Sequence, residues 1–147
     1  MAFRDGYGRE IDYLRVSVTD RCNLRCRYCM PAEGIVPLGH DDILRYEEIE
    51  RVVRAAAGLG IGKVRLTGGE PLVRRGIVDL VALLAAIPGI RDLSATTNGT
   101  LLAGLAGPLA RAGLNRVNVS LDTLDAARFA HITRGGRLAD TLAGIAA

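Results

Sequence analysis

A strand-like segment followed by a helix-like one, repeated four times in 147 residues, limits this chain's fold more than any other feature. Residues 11–19 (Ile-Asp-Tyr-Leu-Arg-Val-Ser-Val-Thr) alternate and are rich in β-formers, which predicts a first strand. Over residues 46–59, Ile49, Val52, Val53, Ala56 and Ala57 recur at helical spacing, and Gly58 and Gly60 end the run. Residues 63–67 make a second strand. Ile77, Leu80, Val81 and Leu84 line one face of a helix over 77–86, closed by Pro88 and Gly89. A short strand over 92–96, a helix over 102–112 stopped by Gly113, and a strand over 116–120 follow. A short helix near 125–131 and a last helix from residue 137 complete the pattern. Repeated βα units predict a parallel sheet with right-handed crossovers. A closed (β/α)8 barrel needs roughly 200 residues or more. The expected fold is therefore α/β: four βα units of a partial TIM-like barrel, forming one incomplete barrel domain over 1–147. A small open α/β sheet is the alternative.

Composition narrows the function classes. Hydrophobic residues make up 49% of the chain and charged residues 24%, enough for one packed core. No apolar run approaches the ~18 residues that span a bilayer, so no membrane partner is expected. Residues 1–12 are polar and lack an apolar signal core, which predicts no export signal and a cytoplasmic protein. The net charge is +3, and the basic residues are dispersed, with Lys63 the sole lysine. That distribution argues against a nucleic-acid partner.

Parallel α/β folds carry their active face at the C-terminal ends of the strands. Here those ends meet a cysteine-rich loop, Thr67-Gly68-Gly69-Glu70-Pro71, Thr96-Thr97-Asn98-Gly99 and Asn118-Val119-Ser120-Leu121-Asp122. The unusual polar and glycine-rich segments all fall on one rim.

The chain's three cysteines, Cys22, Cys26 and Cys29, lie in the first of these loops. An odd count does not suit a closed disulfide framework. A [4Fe–4S] cluster normally takes four Cys ligands; three would leave one iron open to a small molecule. The alternative is a Cys3His zinc site completed by His40 or His131, although only one Cys-x2-Cys pair is present. His40 and His131 otherwise read as surface or structural residues.

Other residues on the rim have two readings each. Tyr28, between two ligands, would lie near a molecule on the open iron or pack against the cluster. Gly68 and Gly69 allow a close approach to the backbone, and Glu70 offers an acceptor for an ammonium group. Arg15 and Arg65 lie within strands, facing a barrel lumen or solvent; paired, they suit an anionic substrate such as a phosphate. Thr96, Thr97, Asn98 and Ser120 either line the site or cap the helices that follow. Asp122 reads as a cap or turn residue. Arg45, before the first helix, lacks a capping side chain, which would weaken the helix start by around 1 kcal/mol.

Together, residues 20–31, 65–72, 96–99 and 118–122 resemble the radical S-adenosylmethionine (radical SAM) superfamily. With residues 8–19, they are most similar to the GTP 3',8-cyclase family of molybdenum-cofactor biosynthesis, a family of lyases. The resemblance implies that Cys22, Cys26 and Cys29 hold a [4Fe–4S] cluster. S-adenosylmethionine would bind the open iron, with Tyr28, Gly69 and Ser120 at positions that contact it. Arg15, Arg65 and Thr96 match positions that contact GTP. A 5'-deoxyadenosyl radical would take hydrogen from the ribose 3' carbon, and the carbon radical would attack C8 of guanine. This is the first step toward molybdopterin, in which GTP becomes (8S)-3',8-cyclo-7,8-dihydroguanosine 5'-triphosphate. The implied partners are GTP, an electron donor such as flavodoxin, the downstream pterin-forming enzyme and a second copy in a homodimer.

The family's members are longer and carry a second cysteine triplet, whereas this chain has no cysteine after Cys29. The expectation is an amino-terminal catalytic part. Its rivals are a radical SAM enzyme acting on a peptide or cofactor precursor, a zinc-holding interaction module, and an inactive barrel fragment with an exposed sheet edge.

Overall fold

The computed structural model describes residues 4–147. The first three residues of the stretch expected to lack a signal core, and the side chain of His40, lie outside the described residues. Four strands, β1 (Tyr13–Ser17), β2 (Lys63–Thr67), β3 (Asp92–Thr97) and β4 (Arg116–Val119), alternate with helices α1 (Tyr46–Gly58), α2 (Ile77–Ala85) and α3 (Leu102–Arg111). Two further helices, α4 (Ala126–Thr133) and α5 (Leu138–Ala146), follow β4. One-turn 3-10 helices occupy His40–Asp42 and Pro71–Val73.

All strand pairs are parallel, in the order β1-β2-β3-β4. Sequential order without reversal is that of a barrel wall; a doubly wound sheet reverses its order at a switch point. The order is that of the expected partial barrel.

One face of the sheet is apolar. Val64 and Leu66 of β2 and Leu93 and Ala95 of β3 are buried with Ile49 and Val53 of α1, Leu80, Val81 and Leu84 of α2, and Leu109 of α3. Burying each such Leu or Ile stabilises by about 1.5–3 kcal/mol. The period-2 alternation of a strand sends the intervening residues to the other face. Register places Arg15 beside Arg65 and Arg65 beside Ser94. Next in that row stands Arg116. This second face is polar and corresponds to the lumen side of a barrel wall.

Three differences from the expected elements have local causes. The first strand begins at Tyr13, because the Asp12 carbonyl accepts the Gly62 and Lys63 N–H groups as a crossover contact ahead of the ladder. It ends at Ser17, although Val18 N–H still donates to Thr67 O at 2.9 Å. The start of α1 is not bare: Glu48 Oε2 accepts the Arg45 N–H at 2.7 Å, the glutamate half of a capping box.

Among the described residues β4 has a strand partner on one side only. Beside it, α3, α5 and Val117 border an apolar groove of about 440 Å³. The expected exposed edge strand is present. No helix of the described residues is long and apolar enough to cross a membrane.

Candidate cluster and substrate site

The loop between β1 and the Pro31 turn carries the three thiols, and its neighbours build it from both sides. On the β2 side, Gly69 N–H donates to Thr19 O and Glu70 N–H to Arg21 O, both at 2.8 Å. A Cβ at Gly69 would lie 2.3 Å from Arg21 O, and one at Gly68 would lie 2.4 Å from Thr19 O. The expected role of these glycines shifts accordingly. The backbone they admit closely is that of the cysteine loop itself.

Glu70 has three protein donors of its own. It is 1% exposed and accepts from Leu72 N–H at 3.0 Å, the Thr97 hydroxyl at 2.7 Å and Asn98 N–H at 2.6 Å. Burial pushes its carboxyl above the ordinary range, and these three hydrogen bonds oppose that shift. The carboxylate ties the β2 loop to the β3 loop and also lines the cavity that the thiols share. An amide relay adds a second tie: Asn98 Nδ2 donates to Asn23 Oδ1 at 2.9 Å, and Asn23 Nδ2 donates to Thr100 Oγ1 at 2.8 Å.

Asp122 is no cap. It accepts the Tyr28 hydroxyl at 2.9 Å, joining the cysteine loop to the end of β4. The cap of α4 is Asp125, which accepts Arg128 N–H at 2.7 Å. Desolvation, the bond to Asp122 and the adjacent thiols together raise the Tyr28 phenol above its ordinary value. Thr97 is likewise a linker, bonded to Glu70 and to Gly99 N–H, and no side chain caps α3.

These ties enclose a cavity of about 190 Å³ at the C-terminal ends of the strands. Cys22, Cys26, Cys29, Tyr28, Gly69, Ser120, Arg15 and Thr96 all line it. Arg65 stands next to Arg15 in register, its Nε donating to Ser94 Oγ at 3.3 Å and its guanidinium 5.5 Å from the Tyr13 ring centroid. Nothing in the sequence joined Tyr13 or Ser94 to the site; their strand parity with Arg65 was the available signal. His131 is exposed, and its carbonyl, not its ring, meets the cysteine loop through Arg27 Nε.

The donor set suits a cluster. All three cysteines are free thiols that open to the same cavity. Burial, then the neighbouring Cys29 and Cys22 thiols, push the Cys26 thiol up. Three crowded thiolates are unfavourable alone, and a cationic metal centre removes that penalty by binding them deprotonated.

Among curated relatives, the GTP 3',8-cyclase of Pelotomaculum thermopropionicum is 63% identical over 142 residues, covering 97% of this chain and 44% of that protein. The GTP 3',8-cyclase of Geobacter sulfurreducens is 58% identical over 147 residues, covering 100% and 45%. The chain thus spans less than half the length of these relatives. Among solved structures, Streptococcus suis SuiB bound to S-adenosylmethionine superposes with a TM-score of 0.68 at 22% identity, over 86% of this chain and 27% of that one, a likeness of fold. The family model described as the radical SAM superfamily matches residues 16–147, and the chain belongs to that superfamily.

Proposed function

We propose that this chain is the catalytic amino-terminal core of a GTP 3',8-cyclase. The observation that carries this reading is the common cavity. The three thiols, the Tyr28–Gly69–Ser120 set and the Arg15–Thr96 set surround one space, and the relatives share the sequence over nearly the whole chain. In this reading Cys22, Cys26 and Cys29 would hold a [4Fe–4S] cluster, and Tyr28, Gly69 and Ser120 would place S-adenosylmethionine beside it. The bound cluster supplies one-electron reductive cleavage of the sulfonium, which starts the cyclisation of GTP.

The chain's own residues do the placing. Arg15 and Arg65, adjacent across β1 and β2, present two guanidinium forks to a triphosphate. Ser94 and the Tyr13 ring hold Arg65, so less side-chain freedom is lost on binding. Thr96, one step nearer the rim on β3, is within the same wall to meet the nucleoside. Glu70 keeps the β2 and β3 loops in register beneath both ligands. The same reading brings a flavodoxin-type electron donor, a downstream pterin-forming enzyme, a homodimer and a cytoplasmic location, where thiols stay reduced.

Calorimetric titration with GTP tests the substrate assignment. Arg15→Ala and Arg65→Ala are each expected to weaken GTP binding by roughly tenfold or more, as for loss of a charge-assisted pair. Unchanged affinity in both variants overturns the assignment of GTP.

A further inference from the structure

The cysteine loop and the C-terminus of α4 cap each other. A helix leaves its last carbonyls without intrahelical partners. Here the loop supplies them: Arg25 N–H donates to Thr133 O at 3.2 Å, and Arg27 N–H donates to Ile132 O at 2.9 Å. In return, one residue of the helix cap satisfies carbonyls of the loop. Arg134 Nη1 donates to Arg25 O at 2.7 Å and to Met30 O at 2.8 Å. Those two carbonyls bracket Cys26, Tyr28 and Cys29.

Arg134 achieves this from a backbone conformation that its residue type disfavours. Its φ is 55° and ψ 53°, and among the described residues it is the one non-glycine with positive φ. Glycine is the usual residue at such a helix end, and glycines stand at the next two positions, Gly135 and Gly136. A non-glycine residue held in the left-handed region persists where the surroundings over-determine it. The surroundings here are two carbonyls of the thiol-bearing loop.

We infer that Arg134 is a positioning residue for the cluster: it fixes the span from Arg25 to Met30 so that Cys26 and Cys29 face the cavity with Cys22. The inference rests on the proposed cluster site, but it makes a separate claim about the metal-free loop. It assigns Arg134 no contact with cluster, S-adenosylmethionine or GTP.

The test compares Arg134→Met, Arg134→Lys and Arg134→Gly with the wild-type chain. The Met and Lys variants keep the side chain's bulk and the strained backbone; only Lys keeps a cationic donor. Hydrogen exchange of the metal-free proteins is read at the Arg25, Arg27, Cys29 and Met30 amides. Anaerobic reconstitution then gives iron and sulfide content and the rate of iron loss to a chelator.

The expected result is roughly tenfold faster exchange at those amides in the Met and Gly variants. Iron loss from both accelerates by a similar factor, and Lys restores most of the wild-type behaviour. Gly relieves the strained φ, so its metal-free thermal midpoint is expected to equal or exceed the wild-type value. Equal exchange and equal iron retention in Met, Lys and wild type overturn the inference. A wild-type chain that takes up no cluster contradicts the proposed function instead, and the exchange comparison still decides the role of Arg134.

Discussion

The Tyr28 hydroxyl and Asp122 Oδ2, 94 residues apart in sequence, meet at 2.9 Å across the mouth of the thiol-lined cavity. This bond joins the loop after the first strand to the loop after the last, so it latches the two sides of the rim. Both side chains are largely exposed. A bond of that kind contributes about 1 kcal/mol or less to stability, and its consequence is local.

Asp122→Ala is therefore expected to leave the thermal midpoint nearly unchanged while loosening residues 26–30. Hydrogen exchange of the metal-free protein checks this. A large loss of global stability would show that Asp122 serves the core and not the rim.

Glu70 behaves differently because it is buried. Glu70→Ala removes the acceptor of three donors at once: Leu72 N–H, the Thr97 hydroxyl and Asn98 N–H. Leaving buried donors unpaired costs about 1–3 kcal/mol apiece. Urea denaturation is expected to show a loss of about 3 kcal/mol or more. A loss below about 1 kcal/mol would mean that water replaces the carboxylate easily, and the linker role would fail.

Gly69→Ala places a methyl group 2.3 Å from Arg21 O, a backbone atom that cannot swing aside. The β2 loop and the cysteine loop must separate, with an expected loss of about 2 kcal/mol or more. Iron content after reconstitution should fall with it. An alanine variant with wild-type stability and iron content would contradict the close approach.

Asp12, which pairs with Lys63 and Arg91, carries a pH dependence of its own. Its hydrogen bond to Lys63 lowers its carboxyl below the ordinary range; partial burial opposes this, and the nearby Lys63 and Arg91 charges assist. The salt bridges measure 2.8 Å to Lys63 and 3.0 Å to Arg91. A depressed folded-state value means that the unfolded chain binds the proton more readily. The stabilisation is thus complete above the unfolded-state value of about 3.9 and is lost as pH falls through the lower folded-state value. Asp12→Asn should flatten that part of the acid limb of the stability curve, measured by chemical denaturation. An unchanged acid limb would mean that this cluster contributes nothing to it.

Much of this architecture was legible in the chain because its signals are local. Ile77, Leu80, Val81 and Leu84 mark α2 by spacing alone, and all four are buried. Strand parity placed Arg15 and Arg65 on one face, and their register as neighbours follows from parallel pairing. What escaped were pairings between distant residues. Glu70 as an internal linker, Asp122 as the partner of Tyr28, and Arg134 as the clasp of the cysteine loop each depend on how two loops or helix ends meet. At Arg134 residue type alone suggests only a favourable charge at a helix C-terminus. The glycine pair at 68–69 was noticed, but its reason was the chain's own backbone, which no local pattern reveals.

The measurement that bears most directly on the central claim is electron paramagnetic resonance of the anaerobically reconstituted, reduced chain, with and without S-adenosylmethionine. The account predicts one [4Fe–4S]+ signal per chain whose g-values shift when S-adenosylmethionine is added, because three thiols leave one iron open. A chain that binds no cluster, or a cluster whose signal ignores S-adenosylmethionine, would contradict it.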